Sequence, residues 1–540
     1  MTVLTAAAAR HGWPLRLREL TGWRRWAAAA LLGAVAILAL PPAYATPLLW
    51  LVFPGLLLLL NGAAGPRQAF AIGWWFGFAH HLLGLYWISF ALLLDAARFF
   101  WLMPFAAAGL PAVLACFIGA GMAALDWASR RFRLSGIGRV LGFAVMWSVA
   151  EYLRGHVLTG FPWNLVAYGW TVWLPVFQTV SLVGSYGLGL LTAAIAALPY
   201  LLADAVLGRR RAWVWVASGL AVLVGATGWG VLRLDQPVGS VPGVTLRLVQ
   251  PNIEQTLKWD PAARRSNFEK VLRLTLRPPD GAAPTVVLWP ESAVPYDLEH
   301  DANAQEAVAS VIPPGAVLLA GTARATLDPA SGAERYWNSL LALDHQGQVL
   351  AIYDKFHLVP FGEYVPLRRW LPLPGSVTGG EFSAGPGPRV LVLPGLPPVS
   401  PLICYEIIFP ARVKPVPSGP GAAAALDRHH HQRWLVRQDR RTASAFRHGP
   451  RPRGRRRAAG GARRQYRHFR RGRPLWQGAR PARARHRRGA GCAAAGGGRD
   501  HPVWALGRSA LCHAPAGRPD AHPVWPAAPG VERASSHSLQ

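Results

Sequence analysis

Long apolar runs dominate the first 235 residues, and short ones the stretch after them. Behind a polar, basic start carrying Arg10, Arg16, Arg18, Arg24 and Arg25, seven apolar segments occur at 26–42, 46–62, 69–94, 102–125, 137–153, 175–203 and 212–232. Each is near the length of about 20 residues that carries a helix across a bilayer. The pattern therefore predicts a multi-pass α-helical membrane bundle over residues 1–236. The first segment also has features of a secretory leader, with Ala43-Tyr44-Ala45 behind a charged start and an apolar run, but six further spans favour an uncleaved anchor. From Gly243 the period changes. Short strands at 244–249, 285–289, 316–320, 339–344, 348–353, 389–393 and 399–403, with a helix over 261–277 and Pro/Gly turns between, predict an α/β sandwich domain over residues 237–412.

Composition agrees with a chain that lies partly in lipid: 51% of its 540 residues are hydrophobic and 24 are Trp. The formal charge of +30 suggests nucleic acid until its location is considered. Residues 1–410 hold 29 Lys+Arg against 22 Asp+Glu, and residues 411–540 hold 28 against 5. The basic excess thus belongs to the last quarter, and no nucleic-acid partner is expected. Cys116, Cys404, Cys492 and Cys512 lie far apart with no CxxC pair, so neither a disulfide framework nor a metal site is indicated.

The loops between apolar segments alternate in charge. Arg67, then Arg130, Arg131, Arg133 and Arg139, then Arg209, Arg210 and Arg211 fall in every second loop, on the side of the N-terminus. The positive-inside rule makes that side cytoplasmic and, after seven spans, makes the domain beyond residue 236 periplasmic in a bacterium. Within the bundle, Glu151 and Arg154 are three residues apart on one helical face and are expected to pair. His80 and His81 are expected to be satisfied inside it. The 160–164 stretch GFPWN is expected in an outward loop as an interfacial anchor.

Candidate chemistry sits at the ends of three strands. The 399–410 stretch VSPLICYEIIFP is an apolar run that presents Cys404 on a tight elbow. A lone cysteine usually just packs, but two upstream stretches change that reading. TVVLWPES at 285–292 ends a strand in Glu291, and VLAIYDKFHLVPFGEYVP at 349–366 ends one in Lys355. A carboxylate can take the thiol proton, an ammonium can stabilise an oxyanion, and a thiolate can attack a carbonyl.

Glu, Lys and Cys in that order at strand ends resemble the carbon-nitrogen hydrolase (nitrilase) superfamily. With a membrane bundle in front, and LKWD, WPES, YDKFHLVPFGEYVP and ICYEIIFP in that order, the chain from about residue 20 to 412 resembles its membrane-bound apolipoprotein N-acyltransferase branch. The resemblance implies an α-β-β-α sandwich with Cys404 as nucleophile, Glu291 as general base and Lys355 as stabiliser of the tetrahedral intermediate. It further implies that Glu363 supports the site and that Trp259, Tyr405 and Glu406 shape the acyl and substrate pocket. The implied reaction takes an acyl chain from a phospholipid, commonly phosphatidylethanolamine, as a thioester. That acyl chain then passes to the α-amine of a diacylglyceryl-cysteine apolipoprotein. No cofactor is implied, and the place is the bacterial inner membrane. A thioester awaiting its acceptor needs water kept out, and the aromatic, Pro-rich stretch 356–376 is a candidate lid. A membrane-tethered amidase using the same three residues is the competing activity.

After Pro410 the resemblance stops. Residues 413–540 are rich in Arg, Ala, Gly and Pro and show neither strand nor helix period, which fits either a disordered basic tail or an out-of-frame translation. If the 432–439 stretch QRWLVRQD is encoded CAA CGA TGG CTG GTT CGG CAA GAC, reading one base later gives Asn-Asp-Gly-Trp-Phe-Gly-Lys, the motif the resemblance leads one to expect next. That places a frame slip between Pro410 and Leu426 and leaves an inactive product as a third reading.

Overall fold

The computed structural model describes residues 13–95, 100–203, 207–254, 257–258, 260–279, 281–329, 331–366, 368 and 381–410. The tail at 413–540 lies outside the described residues, as does Trp259.

Each of the seven apolar segments coincides with a helix: α1 (Gly22–Ala36), α2 (Leu49–Asn61), α3 (Pro66–Leu85), α4 (Met103–Phe132), α5 (Gly136–His156), α6 (Val180–Ala197) and α7 (Arg209–Asp235). Four stretches, Pro66–Leu93, Phe100–Phe132, Val180–Ala203 and Arg209–Asp235, are long and apolar enough to cross a membrane by length and composition. Thr46–Asn61 is apolar but shorter, and α5 dilutes its apolar character with Arg139, Glu151 and Arg154. A helix that is apolar on all sides must be covered on all sides. In α2, accordingly, Leu56, Leu57 and Leu59 are fully buried in the core of the bundle. Lipid-facing character is left to the outside, as on α7, where Val224 and Leu232 are each 70% exposed. Helices approach closely where side chains are small. A Cβ on Gly33 would lie about 2.0 Å from the Phe76 carbonyl oxygen, so glycine is what lets α1 cross α3 there.

The second domain is built on a five-stranded sheet with β1 (Leu246–Leu248), β2 (Val286–Leu288), β3 (Val317–Leu327), β4 (Glu334–Leu343) and β5 (Val349–Asp354) in that spatial order. The first three are parallel and the last three antiparallel. Successive side chains on a strand face opposite sides, and the two sides make two cores. Val287, Leu318, Ala320, Leu341 and Leu343 pack with Phe268 and Val271 of α8 (Arg264–Thr275) and with Ala304 and Val308 of α9 (Ala302–Ala309). Val286, Val317, Leu319, Ala342 and Tyr353 pack instead with Leu391, Leu393 and Ile403.

Two strand expectations change. β3 and β4 extend well past the 316–320 and 339–344 stretches into long paired arms, because Thr322–Leu327 and Glu334–Asn338 continue the ladder outside the apolar core that marks the strand in sequence. The 389–393 and 399–403 stretches form only an isolated bridge, Leu391 with Val399. Pro386, Pro388, Pro394, Pro397, Pro398 and Pro401 remove the N–H groups a continuous ladder needs.

The buried polar groups of the bundle also depart from expectation. Glu151 and Arg154 are both buried, but each binds main chain rather than closing on the other. Val166 N donates to Glu151 Oε1 at 2.9 Å, and Arg154 Nη1 donates to the carbonyls of Phe161 and Trp163 at 2.8 and 2.6 Å. They fasten the loop that carries GFPWN. His81 is buried with no hydrogen-bond partner at either ring nitrogen among the described residues, so the expectation of a satisfied pair does not hold for it.

Candidate active site

Three chain segments deliver the three groups. Glu291 follows β2 through Trp289 and Pro290, on a turn completed by Ser292 in the left-handed region (φ 53°). β3 runs directly against this turn: a Cβ on Gly321 would come within 2.7 Å of both Glu291 Cα and the Pro290 carbonyl oxygen. Lys355 is the residue after β5, with its N–H donated to the Asn338 carbonyl at 2.8 Å. Cys404 opens a short 3-10 helix, Cys404–Ile408, with φ at 49°. A left-handed conformation is uncommon for a residue with a Cβ, and such strain concentrates at functional sites. The elbow expected from the apolar run is there.

The side chains converge. Lys355 Nζ, 1% exposed, lies 2.9 Å from both Glu363 carboxylate oxygens and 3.8 Å from Glu291 Oε1. A buried ammonium must be paired to be tolerated, and Glu363 is its closest partner. Glu363 is itself anchored by Val359 N, which donates to Oε2 at 2.7 Å. The Glu291 carboxylate faces the Cys404 thiol, and partial burial of the sulfur, then the Glu291 charge, push the thiol up to about 11 against the opposing pull of Lys355. At neutral pH the sulfur therefore carries its proton, and the Glu291 carboxylate beside it is the group positioned to take that proton.

Glu406 does not simply line a pocket; it is buried and holds four donors. Its Oε1 accepts from Tyr353 OH and from the N–H groups of Phe356 and His357 at 2.9, 2.9 and 3.1 Å, and its Oε2 from Ile403 N at 2.8 Å. One carboxylate thus ties the chain after Lys355 to the residue before Cys404. Tyr405 reaches the other way, donating to the Gly160 carbonyl at 3.1 Å and stacking on Phe161 at 6.5 Å. His357 lies against the Phe409 ring at 3.9 Å. The GFPWN loop, expected as an interfacial anchor, is therefore also the seat of the elbow. Of the candidate lid at 356–376, residues 367 and 369–376 lie outside the described residues.

Reading the sequence missed Asn338, whose side chain touches both Glu291 and Glu363. Its one signal is a polar Asn-Ser pair at the head of the apolar run in β4. The arrangement as a whole suits acyl transfer: a thiol on an elbow, a carboxylate to take its proton, and an ammonium beside both.

The apolipoprotein N-acyltransferase N-terminal domain pattern matches residues 32–198, and the carbon-nitrogen hydrolase pattern matches residues 245–417. Over 410 residues the chain is 41% identical to the apolipoprotein N-acyltransferase of Rhodopseudomonas palustris, covering 73% of this chain and 75% of that one. The corresponding protein of Bradyrhizobium diazoefficiens is 41% identical over 411 residues, covering 73% and 75%. That of Brucella melitensis is 38% identical over 430 residues, covering 76% and 79%.

Proposed function

Because this chain belongs to the apolipoprotein N-acyltransferase family, we propose that Cys404, Glu291 and Lys355 carry out its lipoprotein N-acylation by way of a thioester. The chain is an acyltransferase of the carbon-nitrogen hydrolase superfamily that acts on phospholipid and lipoprotein at the inner membrane. The observation that carries the residue assignment is the convergence of the Cys404 thiol, the Glu291 carboxylate and the Lys355 ammonium from three separate chain segments.

In the first half-reaction Cys404 Sγ attacks the ester carbonyl of a phospholipid while Glu291 takes the thiol proton. Lys355 compensates the negative oxygen of the tetrahedral intermediate, and collapse expels the lysophospholipid alkoxide, which regains the proton from Glu291. In the second, the α-amine of a diacylglyceryl-cysteine apolipoprotein attacks the thioester carbonyl, the carbon–sulfur bond breaks, and Glu291 passes the proton lost by the amine to the Cys404 thiolate. Phosphatidylethanolamine is the proposed donor. Tyr405 and Glu363 support the site, and Glu406 acts on it through the backbone it holds. Trp259 is proposed to shape the acyl pocket.

Lys355→Ala in a frame-restored chain is expected to slow thioester formation about a hundredfold or more, as loss of one oxyanion stabiliser does. Single-turnover mass spectrometry of the acyl-enzyme is the measurement, and a loss under about threefold would remove Lys355 from the role. Glu363 would then be left as an unpaired buried carboxylate, so thermal unfolding is recorded alongside.

We also propose that the N-terminus is cytoplasmic and the domain beyond residue 236 periplasmic, on the support of the alternating arginines. A reporter that is active only outside the cytoplasm, fused after Asp280, is expected to be active. Silence there together with activity after Arg211 would reverse the orientation.

A further inference from the structure

Asn338 joins the Glu291 turn to the Lys355–Glu363 segment. Its main-chain carbonyl accepts from Lys355 N at 2.8 Å, which fixes the start of the lysine side chain. Its amide nitrogen donates to Glu291 Oε1 at 2.7 Å and to Glu363 Oε1 at 2.8 Å, using both of its protons. For Glu291 this bond is much shorter than the 3.8 Å approach of Lys355, which is too long for a hydrogen bond. The ammonium is committed to Glu363. The charged or titratable groups around Glu291 among the described residues are Lys355, just after β5, Cys404 at the elbow, and Glu363, which is joined to it through the Asn338 amide. Two carboxylates thus share one cation.

Two carboxylates that share a site repel, and the usual relief is for one of them to take up a proton. An amide nitrogen that donates to both opposes this, since each bond favours the ionised form of its acceptor. A carboxylate at position 338 could offer no such pair of protons and would add a third charge, and a hydroxyl could serve only one of the two acceptors. We propose, resting on the assignment of Glu291 as base and Cys404 as nucleophile, that Asn338 is a positioning residue for this reaction. Its amide holds the Glu291 and Glu363 carboxylates in place, one proton to each, so that Glu291 stays aimed at the proton of Cys404.

The test follows carbamidomethylation of Cys404 by iodoacetamide, resolved by peptide mass spectrometry, in the full chain in lipid nanodiscs and in its frame-restored form, between roughly pH 5 and pH 10. Wild-type protein is expected to keep a plateau through neutral pH, because Glu291 takes the proton, with an acid limb where Glu291 is protonated. In Asn338→Ala the acid limb moves up by roughly one pH unit, and the rate on that limb falls about tenfold, while the alkaline limb set by the thiol stays in place. Asn338→Asp moves the acid limb further up. An acid limb that ignores Asn338→Ala in a cooperatively melting protein overturns the proposal. If the alanine variant does not fold, Asn338→Ser decides: it keeps one donor, a smaller upward shift is expected, and an unmoved limb overturns the proposal equally. A wild-type profile with no plateau overturns the base-and-nucleophile assignment and this proposal with it, whereas a plateau indifferent to position 338 overturns this proposal alone.

Discussion

Cys404→Ala, made in a frame-restored chain, abolishes the acyl-enzyme. The thiol lies on a strained elbow, facing Glu291 and near Lys355, and among the described residues no other nucleophile of comparable strength stands there. Of the remaining cysteines, Cys116 lies in α4 of the membrane bundle, and Cys492 and Cys512 lie beyond Pro410. Residues that act as a unit fail together, so the loss should reach about 10⁴-fold or more, with only background transfer left. The raised thiol adds a second consequence of the same geometry. With Cys404 pushed up to about 11, free thiolate is scarce at neutral pH, so attack depends on Glu291 removing the proton as the sulfur–carbon bond forms. Glu291→Gln keeps the shape and loses the base, and its thioester yield is expected to fall nearly as far. Incubation with phospholipid followed by intact-protein mass spectrometry reads both. A thioester on the Cys404→Ala protein would refute the assignment.

Restoring the reading frame between Pro410 and Leu426 is expected to turn an inactive chain into an active one. The sheet face formed by Val286, Val317, Leu319, Ala342 and Tyr353 is covered among the described residues by Leu391, Leu393 and Ile403, from a proline-rich stretch with a single bridge. A nitrilase-type sandwich completes that layer with strands that follow the nucleophile. By composition, residues 411–540 are not expected to do the same: 28 Lys+Arg and 5 Asp+Glu in a background of Ala, Gly and Pro offer little apolar area to bury. The Cys404 segment would then lack a neighbour, and a nucleophile must be held within roughly half an ångström of productive geometry to work. Complementation of a strain depleted of its own N-acyltransferase, scored by triacylation of a reporter lipoprotein, compares the two versions. Rescue by the chain as written would show that its basic tail is genuine.

Whatever depended on neighbours in sequence was legible in the sequence. The seven apolar segments coincide with α1 to α7 because helix formation in an apolar run is a local matter of length and hydropathy. Glu291, Lys355 and Cys404 could be picked out because each follows a short apolar run; for Glu291 and Lys355 that run is the strand β2 or β5, and for Cys404 it leads into a 3-10 turn. The prolines at 386–401 mark, already in the sequence, a stretch that cannot hold two full strands despite its apolar period. What only the tertiary structure decided is which distant groups share a hydrogen bond. Nothing local marks Glu406 as the clamp between the ends of the Lys355 and Cys404 segments, or turns Arg154 away from Glu151 toward the carbonyls of Phe161 and Trp163. Asn338 is the clearest case. Its partners lie 47 and 25 residues away, and they meet only because β3, β4 and β5 pair in register and Gly321 lets the Glu291 turn close against them. A buried polar group must find partners wherever the fold brings them, so its role is settled by packing and not by the pattern of the chain around it.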